Sequence, residues 1–140
     1  MKQIPETEND LVLRTDFSDD VAWEAVCEAI TKPDGKYGFQ AHVDFLSERE
    51  YEGISAEQLM SLVVEDSDHT FIFVVDQSTL SWPDHPILCV DLYDEPGRVF
   101  RVIPSEMWAV ENNLSLANMD FEEFADAVDE EGVFRGFSED

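Results

Sequence analysis

The chain has 140 residues, of which 33 are acidic and only 8 are Lys or Arg, giving a formal net charge of −25 with 44% hydrophobic content. That length bounds about one domain with an ordinary core, and that hydrophobic content excludes a disordered chain. The charge excludes nucleic acid or an anionic membrane as direct partners, because the cations (Lys2, Arg14, Lys32, Lys36, Arg49, Arg98, Arg101, Arg135) are scattered and cannot neutralise a row of phosphates.

No apolar run approaches the roughly 20 residues of a spanning helix. The opening "MKQIPETENDLVLR" lacks the features of a signal peptide, so a cytoplasmic protein is expected. Cys27 and Cys89 lie in a helix-like and a strand-like context and read as buried free thiols, not a disulfide framework. A globule of this size exposes on the order of 7,000 Å², or roughly 300 Å² per net charge, against about 100 Å² per charge on a DNA duplex. An evenly spread surface is thus too dilute to imitate DNA, and any charge-based function requires the acids to be gathered.

Residues 1–10 read as a polar arm, followed by a domain over 11–140. "LVLRT" (11–15) predicts a strand ending at Asp16. "SDDVAWEAVCEAI" predicts a helix capped by Ser18, with Asp19 and Asp20 at the positive end of its dipole. Trp23, Val26, Cys27 and Ile30 form its buried stripe. "KPDGKYG" is a loop, and "FQAHVDFL" (39–46) alternates as a half-buried strand.

Ser55 and Gln58 then make a capping box, with Ile54 and Leu59 placed as a hydrophobic staple. "TFIFVVD" (70–76) is an unbroken apolar run, the pattern of a central strand covered on both faces. "QSTLSWPDHP" reads as a connection. "ILCVDLY" and "VFRVI" predict a hairpin, in which Pro96 and Gly97 fit a type II turn.

"PSEMWAVEN" starts a short helix that Asn112 and Asn113 are expected to end, since asparagine tolerates the left-handed position after a helix. Helix punctuation, not a recognition surface, is the reading of these carboxamides. Asp120 and Glu123 form a second capping box, and Phe121, Phe124, Ala125 and Val128 are the stripe of a final helix. The order β-α-β-α-β, then a hairpin, then two helices, predicts a three-layer α/β fold with a partly parallel mixed sheet of about five strands.

No phosphate-binding loop, metalloprotease helix or Cys-x-x-Cys pair is present. His69 and His85 fall in loops and read as solvated, while His42 reads as a half-buried imidazole in the second strand. Asp16, Asp19, Asp20 and Asp76 gather in principle at the carboxyl ends of parallel strands, where ligands collect, and could hold Mg²⁺. Phosphoacceptor receiver domains place acids similarly, but no lysine follows Lys36 to complete that set. Helix capping and dipole effects explain the same acids without a metal. Asp91 interrupts an apolar strand and needs a partner, with Arg101 across the hairpin as the candidate. Trp82 and Trp108 read as core or core rim.

At "VDLYDEPGRVFRVIPSEMWAVENNLSLANMDFEEFADAVDEEGVFRGF" the chain resembles a family of small acidic bacterial domains of unknown function. The likeness extends to "LVLRTDFSDDVAWEAV" and "FIFVVD". It implies a compact cytosolic bacterial protein, often a stand-alone domain, and supplies no catalytic residues.

The first functional expectation is therefore a non-enzymatic module, of the immunity or inhibitor kind, that docks a basic protein partner and needs no cofactor. Its acidic face is expected on the final helix and tail, at Glu122, Glu123, Asp126, Asp129, Glu130 and Glu131. The alternative is a Mg²⁺-dependent enzyme or phosphate-handling domain built on Asp16, Asp19, Asp20 and Asp76.

Overall fold

Alternating burial divides the sheet into two faces, each with its own core. The computed structural model describes residues 2–137. Strands β1 (Asp10–Arg14), β2 (Val43–Leu46), β3 (Phe71–Val75), β4 (Ile87–Asp91), β5 (Val99–Val102) and β6 (Val133–Phe134) form one sheet in the order β2-β1-β3-β4-β5-β6. β1 pairs in parallel with β2 and β3, β4 is antiparallel to both β3 and β5, and β6 is parallel to β5. The helices are α1 (Asp20–Thr31), α2 (Ala56–Leu62), α3 (Gln77–Ser81), α4 (Met107–Ser115) and α5 (Phe121–Ala125).

Successive side chains of a strand point to opposite faces. Val12, Phe71, Phe73, Val75, Cys89, Phe100 and Phe134 accordingly pack with Val26 and Ile30 of α1, Met107 and Val110 of α4, and Phe121 and Phe124 of α5. Leu11, Leu13, Ile72, Val74 and Val90 face the other way, onto Ile4, Tyr51 and Leu59. β3 is buried at every position, as its unbroken apolar run predicts. Each such side chain contributes about 1.5–3 kcal/mol when fully buried, so this central strand anchors both cores. The three-layer α/β fold with a mixed sheet is thus as expected, with six strands.

Local chemistry explains the agreements. Ser55 and Gln58 close the predicted box on α2 at 3.1 and 2.8 Å. Gly97 adopts φ +95°, the left-handed value that position i+2 of a type II turn requires, and the Arg98 N–H donates to the Glu95 carbonyl at 2.9 Å.

Several expectations are corrected. Asp19, not Ser18, caps α1, accepting the Ala22 N–H at 3.0 Å. β2 begins only at Val43, and β1 begins one residue early, at Asp10. The connection after β3 contains α3, which Asp76 caps through the Thr79 N–H. α4 runs through both asparagines to Ser115. Their side-chain amides donate back to the Trp108 and Ala109 carbonyls at 2.7 and 2.8 Å, and Ala117 takes the left-handed conformation at φ +55°. The tail supplies β6, because Val133 and Phe134 bury fully against β5. Its last three residues, 138–140, lie outside the described residues, as does Met1 of the arm. The rest of the arm is partly docked: Ile4 is buried, its N–H donates to the Leu62 carbonyl, and the Tyr51 hydroxyl donates to the Gln3 carbonyl.

Candidate functional site

At the carboxyl rim of the sheet the predicted acids are engaged separately. Asp16 accepts the Ser18 N–H at 2.9 Å, Asp19 caps α1, and Asp20 pairs with Arg14 at 2.8 Å. Asp76 receives a two-pronged bond from Arg101 at 3.0 and 2.7 Å, besides its bonds from Thr79. Burial alone would raise the Asp76 carboxyl, but the Arg101 guanidinium and the Thr79 donors outweigh it and hold the pKa below the ordinary value. Among the described residues no three His, Cys, Asp or Glu side chains are arranged to hold a metal ion. The Mg²⁺ cluster expected at Asp16, Asp19, Asp20 and Asp76 is therefore not assembled here, because each carboxylate already has protein donors.

The expected Asp91–Arg101 pair is also corrected. Register places Leu88 opposite Arg101, three residues short of Asp91. The buried Asp91 carboxylate instead accepts the backbone N–H groups of Tyr93, Asp94 and Glu95 at 2.9, 3.2 and 2.8 Å. It organises the hairpin loop without a cation, since amide donors serve a carboxylate in place of a counter-charge.

On α5 and the tail, half of the six predicted acids have structural tasks. Glu123 accepts the Asp120 N–H at 2.8 Å, and Asp126 pairs with Arg98 at 2.7 Å. Asp129 receives the Glu131 and Val133 N–H groups together with Arg135. Glu122, Glu130 and Glu131 are exposed and make no side-chain bond among the described residues.

A second set of acids lies at the opposite rim. There the amino ends of β1 and β3 meet the carboxyl end of the antiparallel β4, and the second half of α4 passes above them. Met107, Val110, Glu111 and Leu114 recur on α4 at i, i+3, i+4 and i+7, so Glu111 occupies a stripe position where an apolar residue belongs; it is only 5% exposed. One Glu111 oxygen accepts the His42 backbone N–H at 2.7 Å, and the other lies 3.0 Å from the Ser115 hydroxyl. The same hydroxyl contacts Asp10, the first residue of β1.

One hydroxyl proton cannot serve two carboxylates at once. The arrangement is satisfied when one carboxyl of the pair keeps a proton. Burial, aided by the charge of Glu111 and opposed by the Ser115 bond, raises the Asp10 carboxyl to about 6 in keeping with this. Two carboxylates meeting at one hydroxyl beneath a helix, one of them almost fully buried, mark the clearest candidate site in the molecule.

The histidines are redistributed too. His69 is buried, with Nε2 donating to the Pro5 carbonyl at 3.0 Å. His85 is half-buried, with Nδ1 2.9 Å from the Thr79 carbonyl, and His42 is exposed.

Three adjoining concavities follow α4. One, of about 370 Å³, has Phe71, Leu114, Met119 and Phe121 on its walls, with Asp91, Asp94 and Asp120 beside them. A second, of about 300 Å³, is lined by Glu8, Asp10, Asp68 and Glu111 with His42 and His69; Ser115 borders both. The third, of about 450 Å³, includes Phe39, Gln40, Trp108, Asn112 and Asn113, and shares His42 with the second. Neither of the first two linings contains a lysine or arginine among the described residues. The arginines are engaged elsewhere: Arg14 with Asp20, Arg49 with Glu52, Arg98 with Glu95 and Asp126, Arg101 with Asp76, and Arg135 with Asp84 and Asp129.

A groove lined by carboxylates without a lysine or arginine, over a low-dielectric wall, focuses negative potential outward. An apolar compartment lies alongside. Residues 9–137 match the family model of a domain of unknown function (DUF6924). No curated protein matches the chain.

Proposed function

Since the chain belongs to the DUF6924 family, whose description assigns no activity, we propose from its own geometry that it is a non-enzymatic acidic module that docks a basic segment of a protein partner in the α4 groove. The observation that carries this reading is the pair of adjoining cavities whose linings hold three and four carboxylates and no lysine or arginine among the described residues. An immunity-type or inhibitor role is the form in which such a groove acts, by covering a basic working surface of another protein. Complementary charge then speeds encounter and rejects acidic competitors. The apolar walls give the docked segment more than charge: a lysine or arginine faces Asp10 and Glu111 while a neighbouring apolar side chain enters beside Phe71 and Met119.

Calorimetric titration with a short peptide alternating lysine with leucine tests this. Binding is expected at low salt and is expected to weaken as ions screen the groove. Asp10→Asn and Glu111→Gln should each weaken it further. Neutralising Glu130 and Glu131 together should change it little, because neither lines the groove. An absence of salt-sensitive binding, or equal losses from both sets of variants, overturns the reading.

A further inference from the structure

We propose that the third concavity is an arginine-selective subsite, in which Phe39 and Trp108 stack a guanidinium of the same basic segment. This rests on the reading of the α4 groove and names which cation the partner presents next to it.

The loop before β2 exposes aromatic rings on an ordered support. Tyr37 and Phe39 are 57% and 50% exposed, although burying such rings is what normally stabilises a fold. Their positions are fixed by Asp34, whose side chain accepts the N–H groups of Lys36, Tyr37 and Phe39, while the Asp34 carbonyl accepts the Gly38 N–H at 2.9 Å. The rings form a continuous shelf, with centroids 5.5 Å apart from Tyr37 to Phe39 and 5.1 Å from Phe39 to Trp108. A loop held in place by four bonds to one aspartate presents these rings at little ordering cost when a ligand arrives.

The polar groups on this shelf decide what fits. Asn112 and Asn113 each spend one amide N–H on a helix carbonyl, and their side-chain oxygens remain as acceptors. Ring faces and carboxamide oxygens together call for a flat, donor-rich cation. Arginine meets this with a planar guanidinium, five N–H donors and no acceptor, whereas an ammonium is a compact and strongly hydrated point charge. The molecule already sets guanidinium groups against rings: Arg14 lies 4.4 and 5.2 Å from the rings of Phe17 and Trp23, and Arg49 lies 5.3 Å from that of Phe17. The charge is complementary as well, since the shelf adjoins, at His42, the cavity lined by Asp10 and Glu111.

The test titrates the full chain with two peptides of equal length and charge, one alternating arginine with leucine and the other lysine with leucine. The arginine peptide is expected to bind about two- to fivefold tighter, the yield of one exposed stacking contact. Phe39→Ala, at a half-exposed position and with folding checked by circular dichroism, should abolish that preference by weakening the arginine peptide more than the lysine peptide. Asp10→Asn should weaken both peptides alike. Equal affinity of the two peptides for the unaltered protein, an equal effect of Phe39→Ala on both, or tighter binding of an uncharged proline-rich peptide overturns the subsite and leaves the groove standing. If neither cationic peptide binds at low salt, the groove reading fails and the subsite with it.

Discussion

Replacing Asp10 by asparagine is expected to stabilise the protein near neutral pH while weakening its grip on a basic peptide. Burial and the neighbouring Glu111 carry the Asp10 carboxyl from 3.8 to about 6. The folded protein therefore holds this proton more tightly than the unfolded chain does. The resulting stability is fully present below about pH 4 and is lost as pH rises through about 6. Each tenfold change in proton affinity is worth about 1.4 kcal/mol, which sets an upper limit of about 3 kcal/mol. Screening by the water that reaches the groove reduces this to about 1–2 kcal/mol. An asparagine cannot ionise, and its N–H donors replace the shared proton toward Glu111 and Ser115. Urea unfolding should thus show the variant more stable than the parent by about 1–2 kcal/mol near pH 8, with almost no difference near pH 4. The corresponding rise in melting temperature at the higher pH is about 3–8 °C. If the two proteins differ equally at both pH values, or if the variant is weaker near pH 8, Asp10 and Glu111 do not share a proton as inferred. Greater stability with poorer binding is the pattern expected of a residue retained for its function.

Three further outcomes follow from the same geometry. Arg101→Ala leaves the half-buried Asp76 without its two-pronged partner and should cost about 3 kcal/mol by urea unfolding. Asp76 acts in the opposite sense to Asp10: its depressed pKa means its contribution is present above about pH 4 and is lost as pH falls through the lower folded value. Asp91→Ala strands three loop N–H groups and should cost about 2–3 kcal/mol. Combined with Arg101→Ala it should be additive within about 0.5 kcal/mol, because the two side chains are not partners. A larger coupling contradicts the observed register. Ala117→Gly, at φ +55°, should raise stability by about 0.5–1 kcal/mol by relieving left-handed strain, and a loss on thermal unfolding refutes that.

The elements most legible in the sequence are those whose signal is local. The α2 capping box, the Pro96-Gly97 turn and the apolar run of β3 depend on residues adjacent in the chain, and each appears where its pattern placed it. Elements that depend on remote partners are harder to read. "VF" at 133–134 has no strand signature of its own and becomes β6 only because β5 offers an unpaired edge. α3 is a short helix hidden between polar residues, and its cap, Asp76, reads in the sequence only as an acid at the end of a strand.

The same limit governs the site. Asp91 needed a partner, but a cation across the hairpin and amides along the loop are indistinguishable without the register. Glu111 did leave a signal, an acid at the i+4 position of an apolar stripe. That signal was masked by the two asparagines beside it, which drew the end of the helix too early. Asp10 gave none, being one acid of many until β1 and α4 are brought together.

The outermost strands have a consequence for life at high concentration. β2 is four residues long and β6 only two. A neighbouring molecule finds little backbone along either border with which to extend the sheet, and approaching molecules also repel through their shared excess of anions. Short borders of this kind work against edge-to-edge growth of the sheet into fibres.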